Sequence, residues 1–171
     1  ASGNALTNGI NTTGQQTFAN TVSLNGTYNT SGAAFSAANT ATLTGDTEIR
    51  TAAGNIGLAS VNGTGNSITL NTTGTTTVAG NVTTNGGALL VTGGTATFSN
   101  VNTAAASQTY NSATTSLNGT YATTGASAID FNGDVVLDGN TTLNVGAAAS
   151  ANITINGTVD GAYALTTVGS L

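Results

Sequence analysis

Few side chains in this sequence can do acid–base or nucleophilic chemistry. There is one arginine, Arg50, and there are six carboxylates: Asp46, Glu48, Asp130, Asp134, Asp138 and Asp160. No His, Lys or Cys occurs in the 171 residues, so most nucleophile–base pairs cannot be assembled. Two carboxylates suffice to cleave a glycosidic bond. Asp134 and Asp138 lie near each other in sequence, but Gly139 beside them marks a turn of the chain more readily than a catalytic pair. Asp130, Asp134 and Asp138 offer the oxygen ligands that calcium prefers. Their spacing matches neither the EF-hand loop nor the glycine- and aspartate-rich nonapeptide coil, and solvated acids that guard a sheet edge are the plainer reading. Asp46, Glu48 and Arg50 alternate along one strand and read as a surface charge ladder. The expectation is a protein that is not an enzyme, with no catalytic, cofactor-binding or metal-binding residues and no cofactor.

Other functions are disfavoured by what is missing. One basic residue cannot form a surface that tracks phosphates, which argues against nucleic acid as a partner. No stretch approaches twenty apolar residues, so no helix inserted in a membrane is expected. No signal peptide stands out, as suits a mature product or an internal fragment. Without Cys there is no disulfide framework, and without Lys no Lys–Asn isopeptide crosslink. Sequons such as Asn25-Gly26-Thr27 and Asn118-Gly119-Thr120 follow from the abundance of Asn and Thr. Tyr28, Tyr110, Tyr121 and Tyr163 are the only tyrosines and there is no Trp, which leaves little from which to build a sugar-stacking platform.

The elements that would position these residues read as strands. Charged residues make up 4% of the chain, far below the roughly 25% of an ordinary soluble domain. Thr, Asn, Gly, Ala and Ser dominate, a bias shared with low-complexity disorder. Disorder would not preserve the alternation seen in Ser67-Ile68-Thr69-Leu70-Asn71, Thr95-Ala96-Thr97-Phe98-Ser99 or Asn152-Ile153-Thr154-Ile155-Asn156. A period of two over about five residues turns one face inward and one to water. Thr and Val favour the pleated surface because they are stiff at χ1. Asn-Gly, Gly-Gly and Thr-Gly pairs punctuate these runs where tight corners need positive φ.

An apolar residue, a spacer and then Gly or Asn recurs at Leu24, Leu43, Val61, Val78, Phe98, Leu117, Leu137 and Ile155. The successive spacings are 19, 18, 17, 20, 19, 20 and 18, and Leu6 extends the series backwards by 18. The same signature also falls off this register at Phe18, Val91, Phe131 and Val159. A longer repeat overlies the short one. Gln16-Thr17-Phe18 returns as Gln108-Thr109-Tyr110, and Ser23-Leu24-Asn25-Gly26-Thr27-Tyr28 as Ser116-Leu117-Asn118-Gly119-Thr120-Tyr121, at offsets of 92 and 93. Repeats near twenty residues indicate a solenoid, in which no single repeat buries its apolar face without its neighbours. The fold expected is all-β: a parallel β-helix or β-solenoid of about nine coils of roughly 19 residues. The offsets suggest a five-coil superrepeat (16–107 and an incomplete 108–171) within a single domain, 1–171. A sandwich or barrel is the competing architecture. The small interior residues are expected to stack like on like, with Tyr28 and Tyr121 as equivalent repeat positions sharing a packing role.

Gln108-Thr109-Tyr110-Asn111 leading to Phe131-Asn132-Gly133-Asp134-Val135-Val136-Leu137, together with the run from Asn152 to Thr166, resembles the repeats of large secreted bacterial exoproteins. These are the filamentous-haemagglutinin-like, two-partner-secretion and autotransporter adhesins. The resemblance implies a right-handed parallel β-helix, export to the cell surface, and a role in adhesion or extracellular structure. This chain would then be a stretch of shaft or a stacking subunit. Its expected partners are other copies of itself, head to tail, and a host or neighbouring-cell surface. Ala1–Asn4 and Ser170-Leu171 read as interrupted repeat rather than caps. The alternative is a solenoid whose Thr-rich flat face binds ice or carbohydrate. Thr75-Thr76-Thr77 and Thr83-Thr84 hint at such a face, but Thr-x-Thr is not found in register beyond two coils.

Overall fold

The structure is a computed structural model that describes residues 5–148 and 150–169. The interrupted-repeat segments Ala1–Asn4 and Ser170-Leu171 lie outside those residues. The chain forms β1 (Ala5–Asn11), β2 (Gln16–Phe18), β3 (Val22–Asn29), β4 (Phe35–Ala52), β5 (Ile56–Asn62), β6 (Ile68–Thr83) and β7 (Leu89–Ala104). These are followed by β8 (Gln108–Thr123), β9 (Ile129–Phe131), β10 (Asp134–Asn144), β11 (Ile153–Ile155), β12 (Val159–Asp160) and β13 (Leu165–Val168). No helix occurs among the described residues. All pairings are parallel and join the strands into one sheet. The result is a β-solenoid of about eight turns.

Each turn lays down three short runs, here named sides A, B and C. On side A, Phe18, Ala37, Leu58, Val78, Phe98, Leu117 and Leu137 stack in successive turns. On side B the column is Val22, Ala41, Val61, Val82, Val101, Tyr121 and Leu143. On side C it is Ile10, Tyr28, Ile49, Leu70, Val91, Tyr110, Phe131 and Ile155. Nearly all of these side chains are buried, and together they form one continuous core along the axis. The period-two alternation in the sequence is what turns each column inward.

Turn length varies more than the sequence landmarks suggested. The step is 19 residues from Leu24 to Leu43, 21 from Ile49 to Leu70 and 24 from Phe131 to Ile155, which is why there are about eight turns rather than nine. Stacking also reassigns the landmarks. Ile155 sits on Phe131, an off-register site, while Leu137 belongs to the column of Phe98 and Leu117. Five turns carry Val22 to Tyr121, not Leu24 to Leu117. The copied hexapeptides therefore occupy different corners of the cross-section. Leu24 to Tyr28 rounds the corner from side B to side C, whereas Leu117 to Tyr121 rounds the corner from side A to side B. Tyr28 shares its column with Tyr110 rather than with Tyr121.

The shift arises because the wide corner of the coil migrates. Its motif is a buried Thr whose hydroxyl bonds the carbonyl three residues on: Thr30 to Ala33, Thr51 to Gly54, Thr84 to Gly87 and Thr103 to Ala106. The residue after each of these threonines (Ser31, Ala52, Asn85, Ala104) has φ near 50°. In the early turns this motif joins sides C and A; from Thr84 onward it joins sides B and C. Where it leaves, a tight Gly corner takes its place. At Gly93, φ is 138° and a Cβ would fall 1.3 Å from the Thr72 carbonyl oxygen, so the adjoining coil fits only against a residue without a side chain.

Aromatic residues gather in two clusters within the core. Phe18, Tyr28 and Phe35 cluster in the early turns, and Phe98, Tyr110, Tyr121 and Phe131 in the later ones. Tyr110 stacks on Phe131 with ring centroids 4.6 Å apart.

Candidate functional site

The carboxylates are distributed by the coil rather than gathered by it. Asp130 is the outward residue of β9 on side C, while Asp134 and Asp138 bracket the side A run of β10. The last two bond in opposite axial directions. The Ser116 hydroxyl of the preceding turn donates to Asp138, while Asp134 accepts the amide and hydroxyl of Thr158 in the following turn, both at 2.9 Å. Those Thr158 hydrogen bonds, the amide first, hold the Asp134 carboxyl below its ordinary value of 3.8. Asp46 accepts the Ser67 amide at 2.8 Å. Glu48 pairs with Arg50 at 2.5 Å on an exposed stretch of β4, where an ion pair contributes little to stability. These acids work as clasps between turns and as surface charge. Among the described residues no three His, Cys, Asp or Glu side chains converge on a common point, and no helix is long and apolar enough to cross a membrane.

Among the described residues, buried polar side chains other than Gln16 find partners inside the core. The Tyr110 hydroxyl donates to Gln108 Oε1 at 3.2 Å, and Gln108 Nε2 donates to the Ala122 carbonyl at 2.8 Å. The Tyr121 hydroxyl donates to the Phe98 carbonyl at 2.7 Å and accepts the Asn118 amide at 3.4 Å. Tyr28 accepts the Asn25 amide in the same way at 3.1 Å. Tyr28 and Tyr121 thus share a packing role, closing a tight corner, although they sit at different corners. Gln16 has Phe18 where Gln108 has Tyr110, and Gln16 Oε1 is buried without a partner. Burial raises the pKa of Tyr110, reinforced by Tyr121, and burial also raises that of Tyr121.

Recesses in the surface are shallow or apolar. One of about 720 Å³ is lined by Val145, Ala151, Ile153, Ile155 and Val168, where the core opens beside the last described turn. Another of about 420 Å³ lies on side C between Thr27, Asp46, Glu48, Ser67, Thr69 and Leu90. Tyr28, Tyr110 and Tyr121 are buried, so Tyr163, 52% exposed, cannot form an aromatic platform with them.

The outward rows hold what the sequence did not disclose. Asn111, Asn132 and Asn156 form a ladder of side-chain amides at 2.6 and 2.7 Å. On side A, Thr75-Thr76-Thr77 stacks on Thr95-Ala96-Thr97 and then on Thr114-Thr115-Ser116, so Thr-x-Thr or Thr-x-Ser runs in register over three turns. Thr83 belongs to side B and Thr84 to the wide corner that follows it, so neither takes part in it. Thr-x-Thr itself is in register over two turns, in line with the sequence reading, and Thr114-Thr115-Ser116 extends the rows to a third. No family model, curated protein or solved structure matches the chain, and the likeness to exoprotein repeats rests on its residues alone.

Proposed function

We propose that this chain is a length of structural shaft from an extracellular bacterial fibre or adhesin, with the stacked coil itself as the working part. The observation that carries this reading is the unbroken parallel ladder from β1 to β13, with three inward columns and no inserted module among the described residues. Such a stack is quasi-one-dimensional, and each turn is a template for the next. The low charge places little repulsion between stacked turns, and the resemblance to secreted exoprotein repeats supports a cell-surface location. End-to-end association of copies extends the same parallel ladder by a heterologous, non-closing contact. A host or neighbouring-cell surface is the second partner in this reading.

Electron microscopy of the purified chain, with its intact mass measured on the same sample, tests the proposal. Filaments built from chains of 16.4 kDa are the expected result. Compact particles that remain monomeric at high concentration would count against self-association.

A further inference from the structure

The fold sets out a two-row array of hydroxyls on side A, most of them without a hydrogen bond among the described residues. One row is Thr75, Thr95 and Thr114; the next is Thr77, Thr97 and Ser116. Between the rows lie Thr76, Ala96 and Thr115, all buried, so the five threonines of the two rows project from the same outward face, while Ser116 at the end of the second row is itself buried. Threonines at the wide corners spend their hydroxyls on backbone carbonyls. Those of Thr75, Thr77, Thr95, Thr97 and Thr114 make no hydrogen bond among the described residues, while Ser116 is engaged by Asp138.

We infer that this array binds the surface of ice. Parallel stacking repeats the hydroxyls about every 4.8 Å along the axis, and residues two apart on a strand repeat them at roughly 6.6 Å. These distances lie close to the oxygen repeats on the faces of hexagonal ice. Each hydroxyl both donates and accepts, so it can occupy a lattice position as a water molecule does. Threonine is stiff at χ1, and the paired backbone holds the rows in place, so little order has to be imposed on binding. The five threonines carry no charge, and the array ends at the next turn, where Asp134 follows Thr114 and Asp138 holds Ser116. A flat polysaccharide is the less suitable ligand, because no aromatic ring borders the rows. This inference is independent of the shaft reading.

Gly57 supplies a gain-of-function test. It stands in the second row between Ser36 and Thr77, and Thr17 lies beyond Ser36. A Cβ at Gly57 meets nothing within 4 Å, so Gly57→Thr joins these separated hydroxyls into one row. The experiment is partition of the purified chain into slowly growing ice together with thermal hysteresis, the fold of each variant being verified by circular dichroism. The expected result is enrichment in ice relative to a non-binding protein, loss of that enrichment in Thr97→Lys, larger hysteresis in Gly57→Thr, and no change in Thr83→Lys on side B. Exclusion of the unaltered chain from ice would overturn the inference. So would equal losses in Thr83→Lys and Thr97→Lys, or capture by an insoluble polysaccharide with no partition into ice.

Discussion

Gly93 and Gly57 are both strand glycines, yet they have opposite tolerances. At Gly93 a Cβ would collide with the Thr72 carbonyl oxygen, and φ lies at 138°. Gly93→Ala should therefore destabilise the fold by about 3 kcal/mol or more, from overpacking and backbone strain together. Gly57→Ala meets open space at an ordinary φ and should be within about 0.5 kcal/mol of neutral. Urea unfolding of both variants checks the contrast. Tyr110 is similarly specific, because its hydroxyl is the donor to Gln108 Oε1 in a buried setting. Tyr110→Phe should cost about 1–2 kcal/mol by leaving that oxygen unpaired, measurable in the same unfolding experiment.

At the level of elements, stability depends on corners as much as on strands. Thr72 donates to the Ala52 and Gly54 carbonyls of the preceding turn, and its oxygen accepts the Gly74 amide of its own corner. Replacing it by the near-isosteric Val keeps the volume and removes all three bonds. Thr72→Val should destabilise by about 1–2 kcal/mol, chiefly because the Gly74 amide loses its acceptor, while the Gly54 and Ala52 carbonyls keep Thr51 and Thr73 as donors, read as a shift of the denaturation midpoint. Asp134 joins its turn to the next through Thr158, whose hydrogen bonds hold the carboxyl below 3.8. A depressed folded-state pKa stabilises above the ordinary value and loses that contribution as pH falls below it. Acidification past that point should speed hydrogen exchange at the Thr158 amide before it affects amides in β6 or β7.

For the whole molecule, nearest-neighbour stacking means that turns at the ends of the described stack have fewer supports than those in the middle. The last turn also holds the three exposed large apolar residues found among the described residues, Val159, Tyr163 and Val168. Alkali attacks the stack from within. Tyr110 and Tyr121 have folded-state pKa values raised above 10.0 by burial, so their contribution is complete below pH about 10 and is lost as pH rises further. Ionisation of these two tyrosines, followed by absorbance near 295 nm, should coincide with loss of the β signal in circular dichroism rather than precede it.

The sequence by itself determined the fold class. Alternation such as Ile68-Thr69-Leu70 specifies strands, the recurrent Gly and Asn specify corners, and a repeat near twenty residues leaves each coil dependent on its neighbours. It also confined charge at neutral pH to seven side chains. Only the tertiary structure decided the phase of the stack. The signature marked a kind of corner rather than a particular corner, and a Leu-Asn-Gly-Thr-Tyr turn fits wherever the chain bends tightly. Which bend absorbs the wide Thr corner depends on contacts between turns, such as Gly93 against Thr72, that no local pattern records. That choice places Ile155 on Phe131, aligns Tyr28 with Tyr110, and brings three Thr-x-Thr or Thr-x-Ser segments into one array.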